Sequence, residues 1–185
     1  NLPLYFANRN WHPLLPDTLA QMKADGAQRA IAFFTSAFSS YSGCRQYREN
    51  IAAAQQAVGA GAPAVDRLRV FYNHPGFIEP MLERTLAALE QFPAERRGRA
   101  QLLFSAHSIP QAMADNCAYE QHFREASRLV AEGLEHRHWR LVYQSRSGPP
   151  AQQWLEPDVN EALREISRTQ PHDERDVIVV PIGFL

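Results

Sequence analysis

Short apolar runs alternate with stretches of helical period along nearly the whole chain, and this alternation constrains the fold more than any other feature. Leu4 to Ala7 reads as a strand. Pro16-Asp17-Thr18 with Leu15, Leu19 and Met22 reads as a helix with an acidic first turn, closed by Gly26. Ala30 to Thr35 reads as a buried strand that ends in the polar run Ser36 to Gly43, and a helix is expected from Arg45 to Val58. The unit then repeats, with strands expected at Leu68 to Phe71, Gln101 to Phe104, Trp139 to Tyr143 and Asp176 to Pro181. Helices are expected between them at Phe77 to Gln91, Glu120 to Leu134 and Asn160 to Ser167. Strands that alternate with helices imply βαβ crossovers, hence an α/β fold with parallel sheets flanked by helices.

The stretch Gly59-Ala60-Gly61-Ala62-Pro63-Ala64 formally fits G-x-G-x-x-A, but it trails a helix and carries a proline where a phosphate loop follows a strand and opens a helix. It reads as a linker, dividing the chain into lobes at 1–60 and 61–185. With a net charge of -1 and no basic stretch concentrated on one face, the chain lacks the footprint of a nucleic-acid binder. Its longest apolar runs, such as Val177 to Val180, are far below the roughly 20 residues that span a bilayer. Cys44 and Cys117 are too few for a disulfide framework, so a reducing, cytoplasmic setting is expected. The chain opens at Asn1 without Met or the pattern of a signal peptide, and both ends read as cut.

In a parallel α/β sheet, ligands lie beyond the carboxyl ends of the strands, so the informative residues are those that leave each strand. Here they are Asn8 to His12, Thr35 to Gly43, Ser105 to Ser108 and Gln144 to Gly148. His107 stands out among them. A neutral imidazole binds a divalent metal or accepts a proton, and this one leaves an apolar strand at the expected mouth; the bland alternative is a histidine that caps the next element. His136 and His138, two residues apart, point to different sides of a helix. His12, His74, His122 and His172 border turn and surface residues, where solvated or capping roles are expected.

Six segments in order carry a resemblance: Asn8 to Pro13, Ser39 to Cys44, Phe104 to Pro110, Tyr143 to Pro149, Trp154 to Pro157 and Pro181 to Phe184. Together they resemble the ferrochelatases, and the likeness spans essentially the whole chain. The resemblance implies two Rossmann-like, chelatase-type lobes, the first incomplete, in an enzyme, a lyase of heme biosynthesis that inserts Fe2+ into a porphyrin. Coproporphyrin III is the expected substrate, ahead of protoporphyrin IX, from a likeness to the actinobacterial branch.

It further implies that His107 is the catalytic histidine on the metal side, binding Fe2+ or taking pyrrole protons. Tyr47, Arg9, Asn10 and Trp154 are implied to contact the porphyrin. Cys44 matches a position that supplies one ligand of a [2Fe-2S] cluster in some members, the other three cysteines coming from a C-terminal extension. A glutamate implied to face His107 would lie beyond Leu185, so the chain alone is expected to be inactive. A monomer is expected. The alternative is a non-catalytic tetrapyrrole- or metal-binding α/β module.

Overall fold

The structure is a computed structural model that describes residues 2–149 and 151–184. The chain forms two compact units, Asn1–Ser36 with Ser40–Val70, and Ala37–Ser39 with Phe71–Leu185. The run Val58 to Ala64 lies inside the first, where it turns a helix into a strand.

In the first unit α1 (Leu15–Ala24) leads to β1 (Arg29–Ala32), and a π-helical turn at Tyr41–Arg45 runs into α2 (Gln46–Val58) and β2 (Ala64–Arg67). The strands pair in parallel from Arg29↔Ala64 to Ala32↔Arg67. Leu19 and Met22 of α1 and Ala54 of α2 form the core, against which Ala30 and Val65 pack from one face of the sheet. The opposite face holds Ile31 at 71% and Phe33 at 59% exposure.

Two expectations shift here. Leu4 to Ala7 joins no ladder among the described residues, with Leu4 95% exposed. Alternating apolar residues make a strand only where another strand takes their N–H and C=O groups. The second strand lies at Ala64–Arg67 rather than Leu68 to Phe71, and Phe71 and Tyr72 already belong to the second unit, in whose core they pack.

In the second unit α3 (Pro75–Leu89) and the short α4 (Ala94–Arg97) precede β3 (Gln101–His107). The short α5 (Gln111–Ala114), α6 (Tyr119–Gly133), β4 (Trp139–Gln144), α7 (Val159–Thr169), a 3-10 turn at His172–Glu174 and β5 (Val177–Val180) follow. All three strands are parallel in the order β4-β3-β5, so β3 is central and buried.

Side chains alternate across β3. Leu102, Phe104 and Ala106 join Phe123, Ala126 and Val130 of α6 in one core. Leu103 joins Val142 of β4 and Ala162 and Ile166 of α7 in another. Helices therefore cover both faces, as a parallel sheet requires.

Local chemistry sets where the elements begin. Nδ1 of His74 accepts the Gly76 N–H at 3.0 Å and caps α3, as a histidine bordering a turn was expected to do. Asp158 and Glu161 form a capping box at α7, with Asn160 N–H donating to Asp158 at 2.8 Å and Asp158 N–H to Glu161 at 3.1 Å. Arg96 of α4 grips the buried Asp176 carboxylate with both Nε and Nη2, fixing the entry to β5. No helix among the described residues is long and apolar enough to cross a membrane.

Candidate functional site

β3 runs three residues past the end of its ladder with β5, which closes at Phe104↔Val180, and its last pair is His107↔Gln144 on β4. His107 is thus the final residue of the central strand, one step earlier than a residue of the following loop. Its ring is exposed while both neighbours, Ala106 and Ser108, are buried.

The backbone around that ring is tied down. Tyr119, at the start of α6, donates its phenol to the His107 carbonyl at 2.9 Å. Burial, with a smaller contribution from Cys117, pushes the Tyr119 phenol well above the ordinary tyrosine range, so it stays protonated and able to donate. Ser108 N–H donates to Gln144 O at 2.8 Å, and Ser108 Oγ donates to Leu155 O at 3.0 Å. A main chain held in this way presents the exposed ring from a fixed point, which is how a protein positions a base or ligand before substrate arrives.

The chain that leaves β5 passes the same strand end. Gly183 N–H donates to Ser105 O at 3.1 Å, and a Cβ at Gly183 would sit 2.5 Å from Ala106 Cβ and 2.7 Å from Ala106 Cα. Glycine is needed there because backbone runs against backbone. The contact places Phe184 beside His107, ring centroids 6.4 Å apart and tilted by 59°. Phe184 also lines an open apolar groove of about 500 Å³ between α3 and β5, with Phe77, Met81, Val179 and Pro181 among others.

Trp154 belongs to the same rim. Pro110 and Trp154 form an antiparallel bridge, followed by Leu155 N–H donating to Ile109 O at 3.1 Å. Behind β4 the chain turns at Ser145, whose φ of 64° is left-handed, and Gly148 slides under Trp154. A Cβ at Gly148 would lie 2.4 Å from the indole. Arg146 and Glu156 pair at 3.3 Å across this loop. His107 and Trp154 are therefore both fixed to the strand-end loops of one sheet.

In the first unit the structure brings Arg9 and Tyr47 together. The Arg9 guanidinium lies 5.3 Å from the Tyr47 ring centroid and donates to Ser42 O at 3.1 Å, while Phe34 stacks on Tyr47 at 4.6 Å. The ring is held between a cation and an aromatic. Asn10 is exposed on the adjoining bend, which Asn8 closes by donating twice: N–H to Pro13 O at 2.7 Å and side-chain amide to His12 O at 3.0 Å.

Cys44 sits half-buried on the π-helical turn, its N–H donating to Ser40 O at 2.9 Å. Cys117 lies in the other unit, and among the described residues no three His, Cys, Asp or Glu side chains gather to hold a metal ion. One thiolate does not hold a [2Fe-2S] cluster, so these residues by themselves do not fit that group.

Tyr119 was not singled out in the sequence, and Gly183 entered only as part of the Pro181 to Phe184 segment, although both fix the setting of His107. Each acts through a contact with a residue distant in the chain. The available signals were weak: a buried tyrosine needs a partner for its hydroxyl, and a glycine directly after a strand can mark a close backbone approach.

Comparison with known proteins covers the whole chain. The ferrochelatase family model matches residues 1–185. A ferrochelatase of Rhodopirellula baltica is 53% identical over 185 residues, covering all of this chain and 52% of that protein. A coproporphyrin III ferrochelatase of Frankia alni is 49% identical over 196 aligned residues, covering all of this chain and 50% of its own length. That of Streptomyces coelicolor is 43% identical over 203 aligned residues, again covering all of this chain and 53% of its own length. The chain spans about half the length of these relatives. With a parallel α/β architecture and a family match from end to end, the chain belongs to the ferrochelatase family.

Proposed function

We propose that the whole protein containing this chain inserts Fe2+ into a porphyrin, with His107 acting on the metal side. The observation that carries this reading is the exposed His107 ring on a main chain pinned by Tyr119, at the carboxyl end of a central parallel strand. Metallation needs such a group. Two protons leave weakly acidic pyrrole nitrogens as the metal enters, and a neutral imidazole facing the macrocycle either accepts a proton or hands over the iron. Phe184 and the half-buried Trp154 supply apolar surface near that strand end. In the other unit Arg9, Asn10 and Tyr47 offer a cation, an amide and a ring, the groups proposed there to contact a porphyrin.

Coproporphyrin III is the proposed substrate, ahead of protoporphyrin IX, on the strength of the relatives from Frankia alni and Streptomyces coelicolor that bear that name. The setting is cytoplasmic and the protein a monomer. Because the chain is about half the length of its relatives, we expect it to be inactive alone. Cys44 would contribute one thiolate to a [2Fe-2S] cluster in the whole protein only alongside cysteines from elsewhere, which iron and sulfide analysis of the purified protein decides.

The test is anaerobic addition of Fe2+ to the whole protein with each porphyrin in turn. Loss of porphyrin fluorescence, faster with coproporphyrin III, is the expected result. Binding of either porphyrin without its conversion would favour a non-catalytic tetrapyrrole-binding module instead.

A further inference from the structure

Ala37–Ser39 belongs to the second unit although the chain on both sides of it folds with the first. Phe38 anchors it. That ring is 3% exposed and meets Phe77, Tyr119 and Phe123 at centroid distances of 6.5, 5.7 and 5.6 Å. Beside it, the Ser39 N–H donates to Nδ1 of His122 on α6 at 3.2 Å, and the His122 ring stacks on Tyr72 at 4.0 Å with an 11° tilt. The half-buried His122 ring therefore accepts a bond from a distant segment, beyond the solvated or capping roles expected for it.

An Nδ1 that accepts an N–H carries no proton, so the neutral ring holds its proton on Nε2. Protonation turns Nδ1 into a donor aimed at another donor, and the bond is lost. The next residue after Ser39 is Ser40, whose Oγ accepts the Gly43 N–H and whose carbonyl accepts the Cys44 N–H, both at 2.9 Å. These two bonds start the turn that delivers Tyr47.

We propose that His122 is a positioning residue whose neutral ring pins Ser39, the residue next to the Ser40 cap of the Tyr41–Arg45 turn, and whose protonation releases Ser39. The functional consequence rests on the porphyrin reading above, since the turn that follows Ser40 leads along the chain into the helix that carries Tyr47. Titratable neighbours do not hold the ring in either state. Tyr72 faces it from the 71–74 turn, the 37–39 segment offers a backbone N–H, and one turn away on α6 stand Tyr119, bonded to His107 O, and Glu125, bonded to Arg128. Burial alone holds the His122 imidazole below the ordinary histidine range, so the bond persists at neutral pH.

Amide exchange in the whole protein, read on peptides spanning Ala37 to Cys44 and normalised to the intrinsic rate at each pH, tests this without reference to turnover. Protection at neutral pH should fall roughly tenfold by about pH 5, as expected for loss of one hydrogen bond. His122→Phe, which keeps a ring against Tyr72 but no acceptor, should show the low value at both pH values. Equal protection of the unmodified protein at both pH values, or full protection in the Phe variant, would overturn the proposal.

In turnover, the Phe variant should raise KM for the porphyrin severalfold at an unchanged kcat, and a fall in kcat at unchanged KM would count against it. If the unmodified protein converts no porphyrin, the proposed function fails and the exchange result still decides the role of His122.

Discussion

The Tyr119 phenol donates 2.9 Å to the carbonyl of His107, so the first turn of α6 and the last residue of β3 are locked together behind the exposed imidazole. Tyr119→Phe keeps the ring packed against Phe38 and removes this one donor. It should cost about 1 kcal/mol of stability, read as a lower urea midpoint at an unchanged slope. A variant as stable as the unmodified chain would show that the bond is not needed to hold the strand end.

Gly183→Ala puts a methyl group 2.7 Å from Ala106 Cα, a backbone atom that cannot swing aside. Either the chain after β5 or the end of β3 must move. The expected loss is about 1 to 3 kcal/mol in chemical denaturation, as for other overpacked sites. Stability within error of the unmodified chain would mean that this crossing relaxes freely.

The lowered pKa of His122, caused by burial, sets a direction for stability against pH. The unfolded chain binds this proton at a higher pH than the folded one, so between the ordinary histidine value and the folded value the unfolded state carries more protons. Stability then rises with pH across that window and is lost as pH falls through it. The urea midpoint should drop on going from about pH 7 to about pH 5, and His122→Phe should remove that component of the drop. A slope unchanged by the substitution would assign it to other groups.

What could be read in the sequence was the part that local chemistry sets. Strand and helix alternate as the pattern of apolar residues requires, and His74 caps α3 as a histidine beside a turn can. The apolar runs at Leu4 to Ala7 and Leu68 to Phe71 misled because a strand also needs a partner ladder, and Phe71 instead serves the core of the other unit. At the site, His107 was legible as a polar residue leaving an apolar strand. The Tyr119 bond, the Gly183 crossing and the His122 bond to Ser39 were not, since each joins residues well separated in the chain or depends on a packed core.

His107 is proposed to do the chemistry while its surroundings hold it in place. Because the ring is exposed and its main chain is bonded independently of it, His107→Ala should leave the whole protein folded, with a urea midpoint within about 0.5 kcal/mol equivalents of the unmodified protein. Anaerobic Fe2+ insertion into coproporphyrin III, followed by loss of porphyrin fluorescence, is the direct measurement. A folded His107→Ala protein that still binds porphyrin but has lost turnover by at least about a hundredfold, the lower range for a removed acid-base group, is the predicted result. Turnover close to that of the unmodified protein would contradict the account.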